Sequence, residues 1–217
     1  MNTQEKFVIT ISREVGSGGR SIAEKLAARL GVRYSDKRLI EQLVRHFGLS
    51  ISEIEKIKGT KKNWLADILA KVSPVPNSGA FIGFEQRYGE DWDHKVDSAS
   101  IFRAESEIIR EMAEEASCVI AGRLSFYVLR DVPNKLNVFV HASRAHRIER
   151  VCRKQNLTAE SAAIVIDDID KSRENYVQQY AGVSRYDLRN YDLVLNMDNL
   201  TDDEAVELII KYIEASA

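Results

Sequence analysis

A chain of 217 residues that is 44% hydrophobic is long enough to bury a sizeable core in one α/β domain, with room for a small inserted subdomain and no need of disulfide staples. Its 31 basic and 33 acidic residues leave a formal charge of −2. That balance excludes a global field pulling it onto nucleic acid or an anionic membrane, so any basic site must be local. The two cysteines, Cys118 and Cys152, are far apart and lack a C-x-x-C spacing, which excludes a disulfide framework and predicts buried thiols in a reducing compartment. Residues 1–10 lack the apolar core of a secretion signal, and no run approaches the roughly 18 apolar residues of a membrane span, so a cytoplasmic protein is expected.

In chain order, residues 7–12 are apolar and β-branched, the pattern of a short buried strand. A glycine-rich turn follows. Then Ile22, Ala23, Leu26, Ala27 and Leu30 recur at helical spacing and predict a helix over 21–30 that Gly31 stops. Strand, small-residue turn and helix form the order a phosphate requires, because bare backbone N–H groups converge on the anion and the helix start adds partial positive charge. Against the P-loop pattern G-x-x-x-x-G-K-[ST], the turn carries Glu14 for the first glycine and Arg20 for the lysine, and keeps Ser21, whose hydroxyl is the Mg²⁺ ligand of such loops. Gly16, Ser17, Gly18, Gly19, Arg20 and Ser21 are therefore the candidate phosphate cradle. The same glycines imitate a dinucleotide fingerprint, with Asp36 eighteen residues beyond Gly18, but Ser21 stands where its third glycine belongs.

Residues 32–35 read as a second short strand, and helices are expected over 37–47, 50–58 and 61–72, the middle one opening on the capping-box match Ser50-Ile51-Ser52-Glu53. From 73 to 98 no period is sustained. Pro74 and Pro76 sit there among Phe81, Phe84, Tyr88 and Trp92, marking an irregular insert whose aromatics read as local loop packing. Regularity returns with a helix over 99–116, a buried strand over 118–121, a short helix over 124–129 and a strand over 136–141. Helices over 143–155 and 158–180, a last strand over 192–196 and an amphipathic helix over 202–215 complete the chain. Five strands separated by helices imply a mostly parallel sheet with helices on both faces.

Open α/β sheets place ligands at the carboxyl ends of their strands. There the sequence is polar, with Asp36-Lys37-Arg38 after the second strand, Gly122-Arg123 after the third and His141-Ala142-Ser143-Arg144 after the fourth. A polyphosphate needs convergent cations, and Arg38 and Arg123 come from separate strand ends that the topology brings near the glycine turn. Asp36 either holds a Mg²⁺-bound water, orients a neighbour of the acceptor phosphate, or caps the next helix. In the helix over 143–155, at about 100° per residue, Arg147, Arg150 and Lys154 share an arc of about 60°, flanked by Arg144 and Arg153. Such like charges repel unless an anion or acidic partner is present. Asp167 and Lys171 are spaced as an i,i+4 structural pair, whereas Asp170 and Arg173 adjoin the basic face as site candidates.

Together, the altered P-loop, Tyr34-Ser35-Asp36-Lys37, Val119-Ile120-Ala121-Gly122-Arg123, Val138-Phe139-Val140-His141-Ala142 before the Arg-rich helix, and Asp170-x-x-Arg173 resemble the cytidylate kinase-like family of P-loop nucleoside-monophosphate kinases. The resemblance runs from Val8 to the last helix and is weakest over 59–98. It implies a P-loop NTPase-like three-layer α/β/α domain spanning 1–217, with a five-stranded parallel sheet, a helical acceptor-binding insert and an Arg-rich lid over 143–180. It also implies transfer of the ATP γ-phosphoryl group, with Mg²⁺, to a small-molecule nucleotide acceptor. By the same resemblance Arg20 stands in place of the phosphate lysine, Arg123 lies near the acceptor phosphate, and Arg147 and Arg150 belong to the lid helix. Asp36, Arg38, Asp170 and Arg173 fall on the acceptor side, Arg173 among the catalytic cations. Ile166 occupies the position four residues before Asp170 where an arginine is expected. Two other readings stay open on the residues alone: a nucleotide-binding sensor or regulator with an altered P-loop, and a dinucleotide-binding reductase.

Overall fold

The computed structural model describes residues 1–35, 37–50, 53–54 and 96–216, with the backbone alone at 37–41. Asp36, the expected helix over 61–72 and nearly all of the irregular insert lie outside the described residues. So does most of the expected helix over 50–58, although Ser50 and Glu53 make the reciprocal bonds of its capping box, at 2.7 and 3.3 Å.

Five strands, β1 (Val8–Arg13), β2 (Arg33–Ser35), β3 (Cys118–Ala121), β4 (Lys135–His141) and β5 (Leu193–Asn196), form one parallel sheet in the order β2-β3-β1-β4-β5. A parallel sheet is covered on both faces, so its strands alternate between two apolar layers instead of between core and water. Ile9 and Ile11 of β1, with Val119 and Ala121 of β3, meet α1 (Gly19–Leu30) and α7 (Asp202–Ala215). Val8, Cys118 and Ile120 point the other way, onto α2 (Lys37–Phe47) and α3 (Ser98–Glu115). The result is three layers. Each fully buried isoleucine contributes about 1.5–3 kcal/mol. Thr10, buried in the central strand, donates its hydroxyl to Asn137 Oδ1 at 2.7 Å, which removes the penalty for burying it.

Side-chain caps set several helix starts. Ser143 accepts the His146 N–H and Thr158 accepts the Ser161 N–H, so α5 (Arg144–Gln155) and α6 (Ala159–Ala181) each begin one residue later than the periodicity suggests. The short α4 (Ser125–Val128) follows β3. The first strand is displaced by one residue from the expected 7–12, because Phe7 N–H is taken by Ser117 Oγ while Arg13 pairs in register with Val140. The sheet order reverses at β1, which lies between β3 and β4, and at such a switch point the strand ends splay to leave a crevice. Among the described residues no helix is long and apolar enough to cross a membrane.

Candidate active site

The crevice is built first by the turn between β1 and α1. Buried Ser17 fastens it: its Oγ lies 3.0 Å from both the Glu14 and the Val140 carbonyl oxygens, tying the turn to the end of β4. Gly18 precedes α1 at φ 90°, a conformation that favours glycine, and a Cβ there would stand 2.7 Å from Asp202 Oδ1. Gly18 offers no capping side chain and the first turn of α1 carries no acid, so the positive end of the helix faces the space above it without a carboxylate of its own. Above them is a cleft of about 460 Å³ lined by Gly16, Gly18, Gly19, Ser21, Arg150 and Lys154. Arg20 lines it too, but its side chain is 65% exposed and its Nε lies 3.4 Å from Glu24 one turn along α1.

The arginines of α5 do not form an open like-charge face, because carboxylates from other elements meet them. Arg147 donates to Asp170 at 2.7 Å and approaches Glu14 at 3.4 Å. Arg150 donates to Asp202, at the start of α7, at 2.7 Å. Arg144 takes Asp167 at 2.7 Å, so the i,i+4 partnership of Asp167 with Lys171 gives way to a bond between helices. Glu14, in place of a P-loop glycine, also accepts the Ala142 N–H at 3.3 Å. Asp170 is a hub: it accepts the Val15 N–H at 3.1 Å and bonds Arg147, Arg173 and Arg185, so one carboxylate joins the turn, α5 and α6. Burial pushes the Asp202 carboxyl up, but Arg150, Ser21 and Lys154 outweigh it and hold the group below the usual carboxylate range.

A second cavity of about 170 Å³ opens beside the first, with Arg13, Arg123, Arg173 and Arg185 in its wall next to Tyr176 and Phe126. Arg123 enters it from a turn in which Gly122, Arg123 and Leu124 all have positive φ, at 72°, 59° and 57°. For a non-glycine residue that conformation costs about 1–2 kcal/mol, strain of the kind stored at functional sites. Arg123 is anchored at 2.9 Å to buried Glu105, which also accepts the Tyr176 hydroxyl at 2.8 Å; burial and then the Glu105 charge push that phenol far above its usual range. Arg185 is 4% exposed, bonded to Asp170 and to the Arg13 carbonyl, and stacked 5.1 Å from the Tyr186 ring centroid. Partial burial, followed by the charges of Arg13 and Arg185, pushes the Arg173 guanidinium down, and it remains protonated at neutral pH. Arg13 and Arg173 line both cavities.

The expected residues thus fall into groups. Gly16, Gly18, Gly19, Arg20, Ser21 and Arg150 share the cleft, and Arg123 and Arg173 line the second cavity. Ser17, Arg147 and Asp170 form the frame between the turn, the end of β4, α5 and α6. Asp36 lies outside the described residues and Arg38 is described only by its backbone in α2. Sequence reasoning missed Arg13, Arg185 and Glu105. Extending the first strand by one residue would have flagged Arg13 as a strand-end cation, whereas Arg185 sits in an irregular stretch with no periodicity to mark it.

A glycine cradle between the central strand and the first helix, at the switch point of a five-stranded parallel sheet, defines a P-loop α/β protein. The model of the cytidylate kinase-like family matches residues 8–199. The cytidylate kinase of Sulfurisphaera tokodaii is 25% identical over 208 residues, 95% of each chain. Among solved structures, a protein from Eubacterium ventriosum superposes with a TM-score of 0.67 at 23% identity, covering 96% of this chain and 98% of that one. The shikimate kinase of Bacteroides thetaiotaomicron superposes with a TM-score of 0.51 at 13% identity, covering 96% of this chain and 98% of that one, a likeness of fold. The chain belongs to the cytidylate kinase-like family.

Proposed function

We propose that the protein transfers the γ-phosphoryl group of Mg·ATP to the phosphate of a nucleoside monophosphate. The observation that carries this reading is the adjacency of two cavities, one with a P-loop cradle and one walled by guanidinium groups, that share Arg13 and Arg173. A donor in the first and an acceptor phosphate in the second would meet at those two arginines.

In this reading the N–H groups at the start of α1 hold the donor phosphates, and Arg123 and Arg185 hold the acceptor phosphate. An acceptor oxygen attacks the γ-phosphorus in line while the bond to the bridging oxygen breaks. ADP leaves with that electron pair, and no covalent enzyme intermediate forms. Arg150, bonded to Asp202 at the edge of the cleft, is the lid cation for which phosphate oxygens compete, and its closure would exclude water that otherwise hydrolyses ATP.

The chain fits Mg²⁺ at Ser21 and Asp202, a hydroxyl near a carboxylate whose buried Oδ1 has no hydrogen-bond partner. One or two protein oxygens, with nucleotide phosphates completing the shell, suit that ion. When bound, it would offset charge on the β- and γ-oxygens.

The test is coupled ADP release with Mg·ATP against CMP, dCMP, UMP, AMP and GMP. Release that depends on one of these acceptors supports the reading and names the substrate. ATP binding without acceptor-dependent release across the panel refutes it in favour of a nucleotide-binding regulator.

A further inference from the structure

The residue placed most directly between donor and acceptor is not part of the glycine-rich pattern. Arg13 is the last residue of β1, locked in register with Val140, and its backbone carbonyl accepts from Arg173 at 3.3 Å and from Arg185. Its side chain runs where two glycines of different elements leave room. A Cβ on Gly19, at the start of α1, would stand 2.5 Å from Arg13 Cβ, and a Cβ on Gly122, at the end of β3, would overlap the Arg13 guanidinium. Two absent side chains thus make a passage for this one.

The arginine at the P-loop lysine position is placed differently. Arg20 is 65% exposed on the rim of α1 with its Nε beside Glu24. To reach a phosphate it must give up rotamer freedom and that pairing. Arg13 starts from a narrower range: strand register and two carbonyl contacts fix its backbone, and its side chain is confined to the passage past Gly19 and Gly122 where the cavities meet.

We infer that Arg13, more than Arg20, supplies the cation that binds the γ-phosphoryl group of the donor, an assignment that rests on the phosphotransferase reading above. A guanidinium there spans two oxygens of the group in transfer, the work that a lysine ammonium does from the helix in other P-loops. It also explains how the chain tolerates arginine at position 20.

The test uses binding, so it needs no turnover. Affinities for Mg²⁺ with a non-hydrolysable ATP analogue and for Mg·ADP are measured by calorimetry on the wild type, Arg13→Gln, Arg13→Lys and Arg20→Gln. The expected result is that Arg13→Gln loses about 10- to 100-fold of the preference for the triphosphate over ADP, as removal of a charge-assisted contact predicts, while ADP affinity stays within about threefold. Arg13→Lys should keep part of the preference, and Arg20→Gln should lose less of it than Arg13→Gln. Thermal melts identify a variant that fails to fold, in which case Arg13→Lys carries the comparison. Equal losses of triphosphate and ADP affinity in the Arg13 variants mean that Arg13 only props the turn and overturn the assignment, as does a larger loss of preference in Arg20→Gln. A wild type that prefers the triphosphate but phosphorylates no acceptor overturns the kinase reading and leaves the assignment of Arg13 standing.

Discussion

Replacing Asp170 with asparagine should loosen the joint between the P-loop turn and helices α5 and α6. The carboxylate takes Arg147 at 2.7 Å, Arg185 at 3.3 Å and Arg173 at 3.5 Å, together with the Val15 N–H. Asparagine can still accept the backbone bond, so the loss is electrostatic. Removing one partner of a buried ion pair costs about 3–5 kcal/mol, because the other charge stays buried without compensation. Two features push the value to the lower end: Arg147 keeps Glu14 at 3.4 Å, and Arg173 is partly exposed and makes the longest contact. The expected cost is therefore about 3 kcal/mol, a fall in Tm of about 6–12 °C for a chain of this size. Urea unfolding should show a lower midpoint with an unchanged slope. Glu14→Gln alone should be mild, but combined with Asp170→Asn it should cost more than the sum, since Arg147 then loses both carboxylates. A single variant melting within about 2 °C of the wild type, or strict additivity in the pair, would refute the hub.

The glycines give one further prediction and the thiols two. Gly31→Ala and Gly122→Ala both force alanine to a positive φ, at 66° and 72°, but a Cβ at Gly31 meets nothing within 4 Å whereas one at Gly122 overlaps the Arg13 guanidinium. The first should cost about 1 kcal/mol of stability and leave nucleotide affinity alone. The second should cost more and weaken triphosphate binding, and equal behaviour of the two would argue against the Arg13 passage. Burial pushes the Cys118 thiol up to about 11, while Cys152 is only half-buried and so open to an aromatic disulfide reagent. Near pH 8 the native protein should label at Cys152 and react at Cys118 only on unfolding. Because the folded state holds the Cys118 proton more tightly than the unfolded chain, with its pKa near 8.5, this contribution is complete below about pH 8.5 and is lost as pH rises toward 11. Between pH 8 and 10 the wild type should lose about 2 kcal/mol more than Cys118→Ala. Equal losses would contradict the shift.

What was legible in the sequence is what repeats locally. Ile9 and Ile11, or Ile22, Ala23 and Leu26, announce strand and helix because burial selects them at a period of two or of three to four residues. The parallel sheet and the glycine turn follow from that alone. The company of the α5 arginines was less legible: a helix-face argument sees Arg147 and Arg150 beside Arg144 and asks only for an anion or acidic partner, while the carboxylates that meet them, Glu14, Asp170 and Asp202, come from other elements. Spacing along one helix also paired Asp167 with Lys171, and only packing of α5 against α6 could bring Arg144 to it. Long-range charge pairing leaves no local signature, so it is the layer of a site that patterns miss.

The two departures from the P-loop pattern take on a common sense once those partners are known. Glu14 replaces a glycine whose use is to keep the loop bare, yet its carboxylate accepts the Ala142 N–H and faces Arg147, so it fastens α5 to the turn from the turn's own first position. A loop fastened in that way needs less from its helix-borne cation. If Arg13 carries the γ-phosphate contact, position 20 is relieved of the lysine's duty and an exposed arginine paired to Glu24 is sufficient there. The altered residues then describe a P-loop whose charge has moved from the start of the helix to the end of the strand, and the Arg13 and Arg20 variants separate that arrangement from a loop that has lost its function.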